Sequence, residues 1–313
     1  MGEETMDLAA DHAVESILRD ELARESRALA AVVPVLHHLL RSDADALLSD
    51  AILARVRGMI LDLAAQLVAA AAGREAATRA CTAEDHAACE AIGARLMGDD
   101  ALLAHCHALA AEALIAARLQ QREALDPVLS PLLQELIASD DAEVASLAMS
   151  VLAAQARFIQ SQQRMELPLG ELPAERFHAL VSGVRADTTA SGGLVRLTSG
   201  YDEAATRIGL LARLVGAMRR GAVAGLAIDH AGVALFASTL AAATRTPREG
   251  AVLACHEGQA ARLGVLLRAG GLTPSAIERQ LLLLSPAARL PQGLAALTPE
   301  QAVALADAGG AGR

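Results

Sequence analysis

The chain has 313 residues and a formal net charge of −10; 53% of it is hydrophobic, only 1% aromatic, and nearly a quarter is alanine. It contains no lysine, asparagine or tryptophan, which excludes Schiff-base chemistry, a phosphate-loop lysine, a kinase-type lysine–glutamate pair, N-glycosylation and a Cys-His-Asn nucleophile set. The acidic balance argues against a general nucleic-acid binder, whose affinity comes from basic side chains meeting phosphates.

Alanine and leucine head the helix-propensity ranking, and the aromatics that favour strands are scarce, so the expected class is all-α. A chain of this length can bury a real core, here built from Leu, Ala, Val and Ile. Residues 1–164 carry 25 acids against 13 arginines, and residues 165–313 carry 12 against 14. That asymmetry suggests an acidic helical subdomain over 1–164 and a second one over 174–313, joined by a Pro/Gly-bearing linker at 165–173. Four scattered cysteines do not make a disulfide scaffold. The acidic, polar start is neither a secretory signal nor a transit peptide, and Met6 spoils the myristoylation pattern. A cytoplasmic location is expected.

In chain order, a leucine and valine stripe over 7–41 predicts a long helix, kinked or divided at Pro34. Ser42 and Asp43 mark a turn. A second helix follows with Leu47, Ile52, Val56, Met59 and Leu63 on one side, ended near Gly73. Thr82 with Asp85 caps a short helix to Met97, and Asp99 or Asp100 caps a helix over 101–121. Asp126-Pro127 starts another, broken at 139–141; Asp140 with Glu143 then opens a helix reaching Arg164. Residues 171–185 form a short helix. Residues 187–200 read as a loop with an extended segment at 194–198. Helices return over 201–220, parts of 223–244, 247–269, 274–284 and 299–308. Three of them start at Thr-Pro (246, 273 and 298), with capping boxes at Thr246/Glu249 and Thr298/Gln301. The apolar stretch 222–244 is too poor for a membrane span, since Asp229 alone costs ~3 kcal/mol at a bilayer centre. No membrane span is expected.

The segment LSPLLQELIASDDAEVASLAMSVLAAQAR resembles one HEAT-type helix pair. With LRAGGLTPSAIERQLLL, the chain resembles alanine-rich bacterial helical-repeat proteins of unknown function. The resemblance implies an irregular multi-helical array, solenoid-like in its N-terminal part, and no particular activity.

Ligand-type residues cluster at Cys81, Asp85, His86 and Cys89, followed by His105, Cys106 and His107. Cys81, Asp85 and Cys89 share one helical face, and His105 on a neighbouring helix is a further candidate for zinc. There is no close Cys pair, and cysteines in alanine-rich helices usually serve as small buried hydrophobes; no metal and no cofactor is expected. Asp229-His230 forms an acid–base candidate in an apolar segment, weighed against a simple helix break. Arg207, Arg213, Arg219 and Arg220 lie on the expected helix 201–220, where arginine forks suit a carboxylate, a phosphate or an acidic partner. Phe158, Phe177, Tyr201 and Phe236 are expected to plug a junction of helical layers. No GxSxG, HExxH or GxGxxG motif occurs. The leading expectation is therefore a non-enzymatic scaffold or adaptor that binds a protein partner through a helical surface. A sensor for a small anionic ligand at the arginine helix comes second, and an enzyme using Asp229 and His230 third.

Overall fold

The computed structural model describes residues 3–41, 49–75, 85–187 and 192–310. All regular structure among these residues is helical. In chain order it begins with α1 (Glu3–Arg41), α2 (Asp50–Ala71), α3 (His86–Leu96), α4 (Asp100–Glu123), α5 (Pro131–Ile137), α6 (Ala142–Gln163) and α7 (Ala174–Asp187). It continues with α8 (Gly192–Ser199), α9 (Arg207–Met218), α10 (Ile228–Thr244), α11 (Arg248–Ala254), α12 (Ala260–Ala269), α13 (Pro274–Leu284) and α14 (Pro299–Gly310). Short 3-10 turns punctuate the connections.

Contacts group the chain into two compact units, each drawing on both halves of the sequence. Unit 1 comprises Met1–Val32, Ala111–Ala145 and Leu214–Arg313; unit 2 comprises Val33–Ala110 and Ser146–Arg213. In unit 1, α10 packs on α5, α11 and α12, and α12 packs on α14. Phe236, Leu240, Leu263 and Leu267 fill its core. The Glu25 carboxylate accepts the Ala261 and Arg262 N–H groups at 3.1 and 2.7 Å, so α1 supplies a cap for the start of α12. In unit 2, α2 packs on α3, α7 and α8. Met59, Ile60, Leu63 and Leu67 are fully buried along one side of α2, the period a core-facing helix requires.

Several local expectations are met. Asp99 caps α4 by accepting the Ala101 and Leu102 N–H groups. Thr273 caps α13, and Thr298 and Gln301 form a reciprocal capping box at α14. Gly73 follows α2 with φ +77°.

Others are corrected. α1 is not divided at Pro34, which lies inside the helix. Asp126 makes a turn, accepting the Val128 and Leu129 N–H groups, and α5 starts later, with Ser130 as cap and Pro131 in its first turn. Asp141, rather than Asp140, caps α6. The expected extended segment 194–198 is part of helix α8. The helix expected over 201–220 begins only at Arg207 and ends at Met218. The one expected over 247–269 is two, α11 and α12, separated at Cys255–Gln259, and Pro247 occupies the cap position of α11 without a side-chain bond. The apolar stretch 222–244, expected to be helical only in parts, is indeed interrupted, by a 3-10 turn at Arg219–Leu226 and at Gly232, whose φ of 68° and ψ of 165° suit glycine alone. Ser42, Asp43, Cys81 and Thr82 lie outside the described residues.

By length and composition α4 and α6 are apolar enough to cross a membrane. The apolar window of α4 is 78% buried within the protein, as a core helix is, whereas that of α6 is 39% buried.

Candidate functional site

The strap after α6, residues 165–173, was expected to be a linker. Within unit 2 it is tied down at both backbone and side chain. α6 ends in a Schellman turn: Glu166 N–H reaches Ser161 O at 2.8 Å and Met165 N–H reaches Gln162 O at 3.2 Å. Met165 takes the left-handed position with φ 58°, where glycine is usual. Gly58 on α2 makes room for it, because a Cβ there would meet Met165 Cβ at 2.5 Å and its carbonyl oxygen at 2.7 Å. Two buried polar residues of α2 then act as a template for the strap. Asp62 accepts the Leu167 N–H at 2.8 Å. Gln66 donates to Leu167 O at 3.0 Å and accepts the Leu169 N–H at 2.9 Å. Leu167, Leu169 and Leu172 are buried.

This strap forms one wall of a cavity of about 230 Å³ lying wholly within unit 2. α6 supplies Arg157, Phe158, Ser161 and Gln162 to the lining, and Arg164 follows at its end. Leu167 and Glu171 come from the strap, Leu109 from α4, and Arg207 and Ile208 from the start of α9. The apolar surface is therefore flanked by three arginines and by the carboxylates of Glu166 and Glu171.

Arg207, a ligand- or partner-binding candidate from the sequence, is only 2% exposed. Its guanidinium carbon lies 3.6 Å from the centroid of the Phe158 ring, a cation–π contact. Its Nη1 donates to Gln155 at 3.0 Å and its backbone N–H to Glu171 at 2.7 Å. It builds the wall of the cavity. Arg164 is paired with Glu166 at 2.8 Å. Arg157 is exposed and meets no partner among the described residues. Gln162, 2% exposed, donates from Nε2 to the Met59 sulfur at 3.2 Å, and its Oε1 is buried without a donor.

The remaining candidates scatter. Arg213 is exposed and approaches Ala204 O at 3.5 Å. Arg219 and Arg220 lie beyond α9 in the 3-10 turn Arg219–Leu226, where Arg219 has φ 50°; the Arg220 side chain lies outside the described residues. Cys81 also lies outside them. His86 is exposed beside Glu90 at 3.3 Å, and Cys89 is buried and disulfide-bonded, which takes its thiolate out of metal chemistry. His105 is buried in α4, as is Cys106, whose thiol burial pushes up to about 12. No group of three or more metal-ligating side chains assembles among the described residues.

Asp229 and His230 face a broad hollow of about 610 Å³ in unit 1. There they are held apart, Asp229 in an ion pair with Arg279 and His230 with its Nε2 3.3 Å from the Glu135 carboxylate. Phe236 is core in unit 1. In unit 2, Phe177 stacks on Tyr201 with ring centroids 4.0 Å apart. The Tyr201 hydroxyl donates to Leu172 O at 2.8 Å, adding a further anchor to the strap. Burial, then the nearby carboxylates led by Glu203, pushes that phenol up to about 12.

Sequence reasoning missed the cavity because its lining comes from four chain segments. The only local signal was the Arg157-Phe158 pair followed, seven residues after Arg157, by Arg164 on the same helical face. No protein-family model, curated protein or solved structure matches this chain.

Proposed function

We propose that this chain is a non-enzymatic binding protein whose unit 2 cavity takes a small anionic ligand. The observation that carries the reading is Arg157: an exposed guanidinium without a partner among the described residues, at a concave, mostly apolar cavity, the usual composition of a ligand site. The ligand site is thereby centred on α6 and the first turn of α9, so that of the arginine set only Arg207 takes part. Absence of a recognisable catalytic motif and the engagement of Asp229 and His230 with separate partners, Arg279 and Glu135, support a binding role over an enzymatic one. The formal charge of −10 supports an absence of nucleic acid among its partners.

The test is calorimetric titration with 4-methylpentanoate, a small branched carboxylate. Arg157→Ala is expected to weaken binding about tenfold or more, the value of one charge-assisted hydrogen bond, while Arg213→Ala leaves it unchanged. Equal loss in both variants, or in neither, would reject the cavity as the site.

A second reading, the protein-binding adaptor, draws on α6, whose apolar window is only 39% buried and on which Met149 is 51% exposed. A long helix left that open offers a surface to a partner helix. Met149→Asp would abolish such an interaction without affecting the carboxylate titration.

A further inference from the structure

We infer that unit 1 holds a second ligand site, a cavity lined by α1, the end of α10, α12 and α14, which takes a small zwitterion on an apolar body: an aliphatic amino acid.

The cavity measures about 280 Å³, near the lower end of the roughly 300–1,000 Å³ usual for small-molecule sites, so it suits a compact ligand. Leu22 of α1, Val265 of α12 and Leu305 of α14 contribute apolar lining. Its polar lining comes from Thr244, Arg245 and Thr246 where α10 ends, from Arg262 of α12 and from Asp307 of α14. All of these residues belong to unit 1.

The class of ligand follows from which of the polar groups are already met. The Thr244 hydroxyl lies 2.7 Å from Leu240 O and 3.0 Å from the Thr246 hydroxyl, so the two threonines are occupied with each other and with the α10 backbone. Arg262 donates from Nη2 to Ser26 Oγ at 2.5 Å, and from its backbone N–H to the Glu25 carboxylate at 2.7 Å. Arg245 and Asp307 stand outside this network. Both are exposed, neither has a partner among the described residues, and they do not pair with each other. Arg245 offers a planar fork of donors that matches a carboxylate, and Asp307 offers acceptors that match an ammonium. A simple anion in the cavity would meet Arg245 but also the like charge of Asp307, and a simple cation would meet the reverse. A molecule carrying both charges answers both groups, and its hydrocarbon part covers Leu22, Val265 and Leu305.

The experiment is calorimetric titration of the full chain carrying Arg157→Ala, which weakens the unit 2 cavity and leaves unit 1 as it is. Three compounds of one branched skeleton are compared: leucine, 4-methylpentanoate, which lacks the ammonium, and isopentylamine, which lacks the carboxylate. Leucine is expected to bind about tenfold more tightly than either, the worth of one charge-assisted hydrogen bond. Asp307→Asn, added to this chain, is expected to bring leucine level with 4-methylpentanoate, and Arg245→Gln to bring it level with isopentylamine. Since neither side chain is buried or paired, both variants should keep the melting temperature of the parent. Equal affinities for the three compounds, no heat with leucine, or a leucine preference that survives both substitutions would overturn the inference.

Discussion

Glu112 lies at 1% exposure in unit 1 and grips Arg248 with two hydrogen bonds, each 2.8 Å. Burial works against a charged guanidinium at this position, but the charge of Glu112 and its hydrogen bonds outweigh that and hold the Arg248 pKa above its ordinary value. Ser238 and the Ala234 carbonyl take further N–H groups of the same guanidinium. Such a pair need not be worth more than well-packed leucines, yet breaking it strands a charge in the core. Glu112→Gln is expected to cost ~3–5 kcal/mol in urea unfolding, far more than exposed Arg213→Ala. A second titrating group gives a pH dependence. His256 Nδ1 accepts the Gly258 N–H at 3.3 Å, a bond that needs the ring unprotonated. Loss of water around the ring, then Arg118, lowers its pKa from 6.5. The unfolded chain therefore binds the proton more readily. This contribution to stability is present above about 6.5 and is lost as pH falls from there through the depressed folded value. The melting temperature should drop between pH 7 and 5, and His256→Gln should remove part of that drop.

Among the elements, the strap and α2 show how polar residues shape a helical fold. Asp62 and Gln66 sit four residues apart on α2, one turn from each other, and give the strap the hydrogen bonds that a neighbouring backbone would otherwise provide. Asp62→Ala leaves the Leu167 N–H without its partner in a buried setting, at a cost of ~1.5–3 kcal/mol. Hydrogen exchange at the Leu167 amide should accelerate in this variant, while amides in α12 keep their protection; uniform acceleration in both would contradict the local assignment. The capping signals divide along the same line. Thr298 with Gln301 and Thr273 with Ala276 are closed by residues within one turn, so they follow from local sequence. Thr246 instead meets Thr244, leaving Pro247 at the cap position. Residues 194–198 contain Val and Thr and read equally as strand; burial of Gly193 and Leu194 and the packing of α8 on α2 made them helical.

For the whole molecule, each compact unit is assembled from separated stretches of chain. Unit 2 combines Val33–Ala110 with Ser146–Arg213, and unit 1 combines three stretches, one of them reaching Arg313. A fragment ending at residue 164 would lack the strap, α7, α8 and the start of α9 from unit 2, and α10 to α14 from unit 1. Residues 1–164 alone are expected to give no cooperative thermal transition and weak amide dispersion. A sharp transition in that fragment would instead support a division into an N-terminal and a C-terminal subdomain.

Read alone, the sequence determined the helical class, the absence of familiar catalytic motifs and those helix starts whose capping partners lie a turn away. These depend on backbone propensity and on bonds spanning three or four residues, both written in consecutive positions. The tertiary structure decided the rest. It buried Arg207 against Phe158, turned the expected linker into an ordered wall through Asp62 and Gln66, and gathered the cavity lining from α4, α6, the strap and α9. In each case the deciding partner lies tens of residues or more away. Whether an arginine faces solvent or a phenyl ring is set by which helices pack together, a matter of burial and shape that no short window of sequence contains.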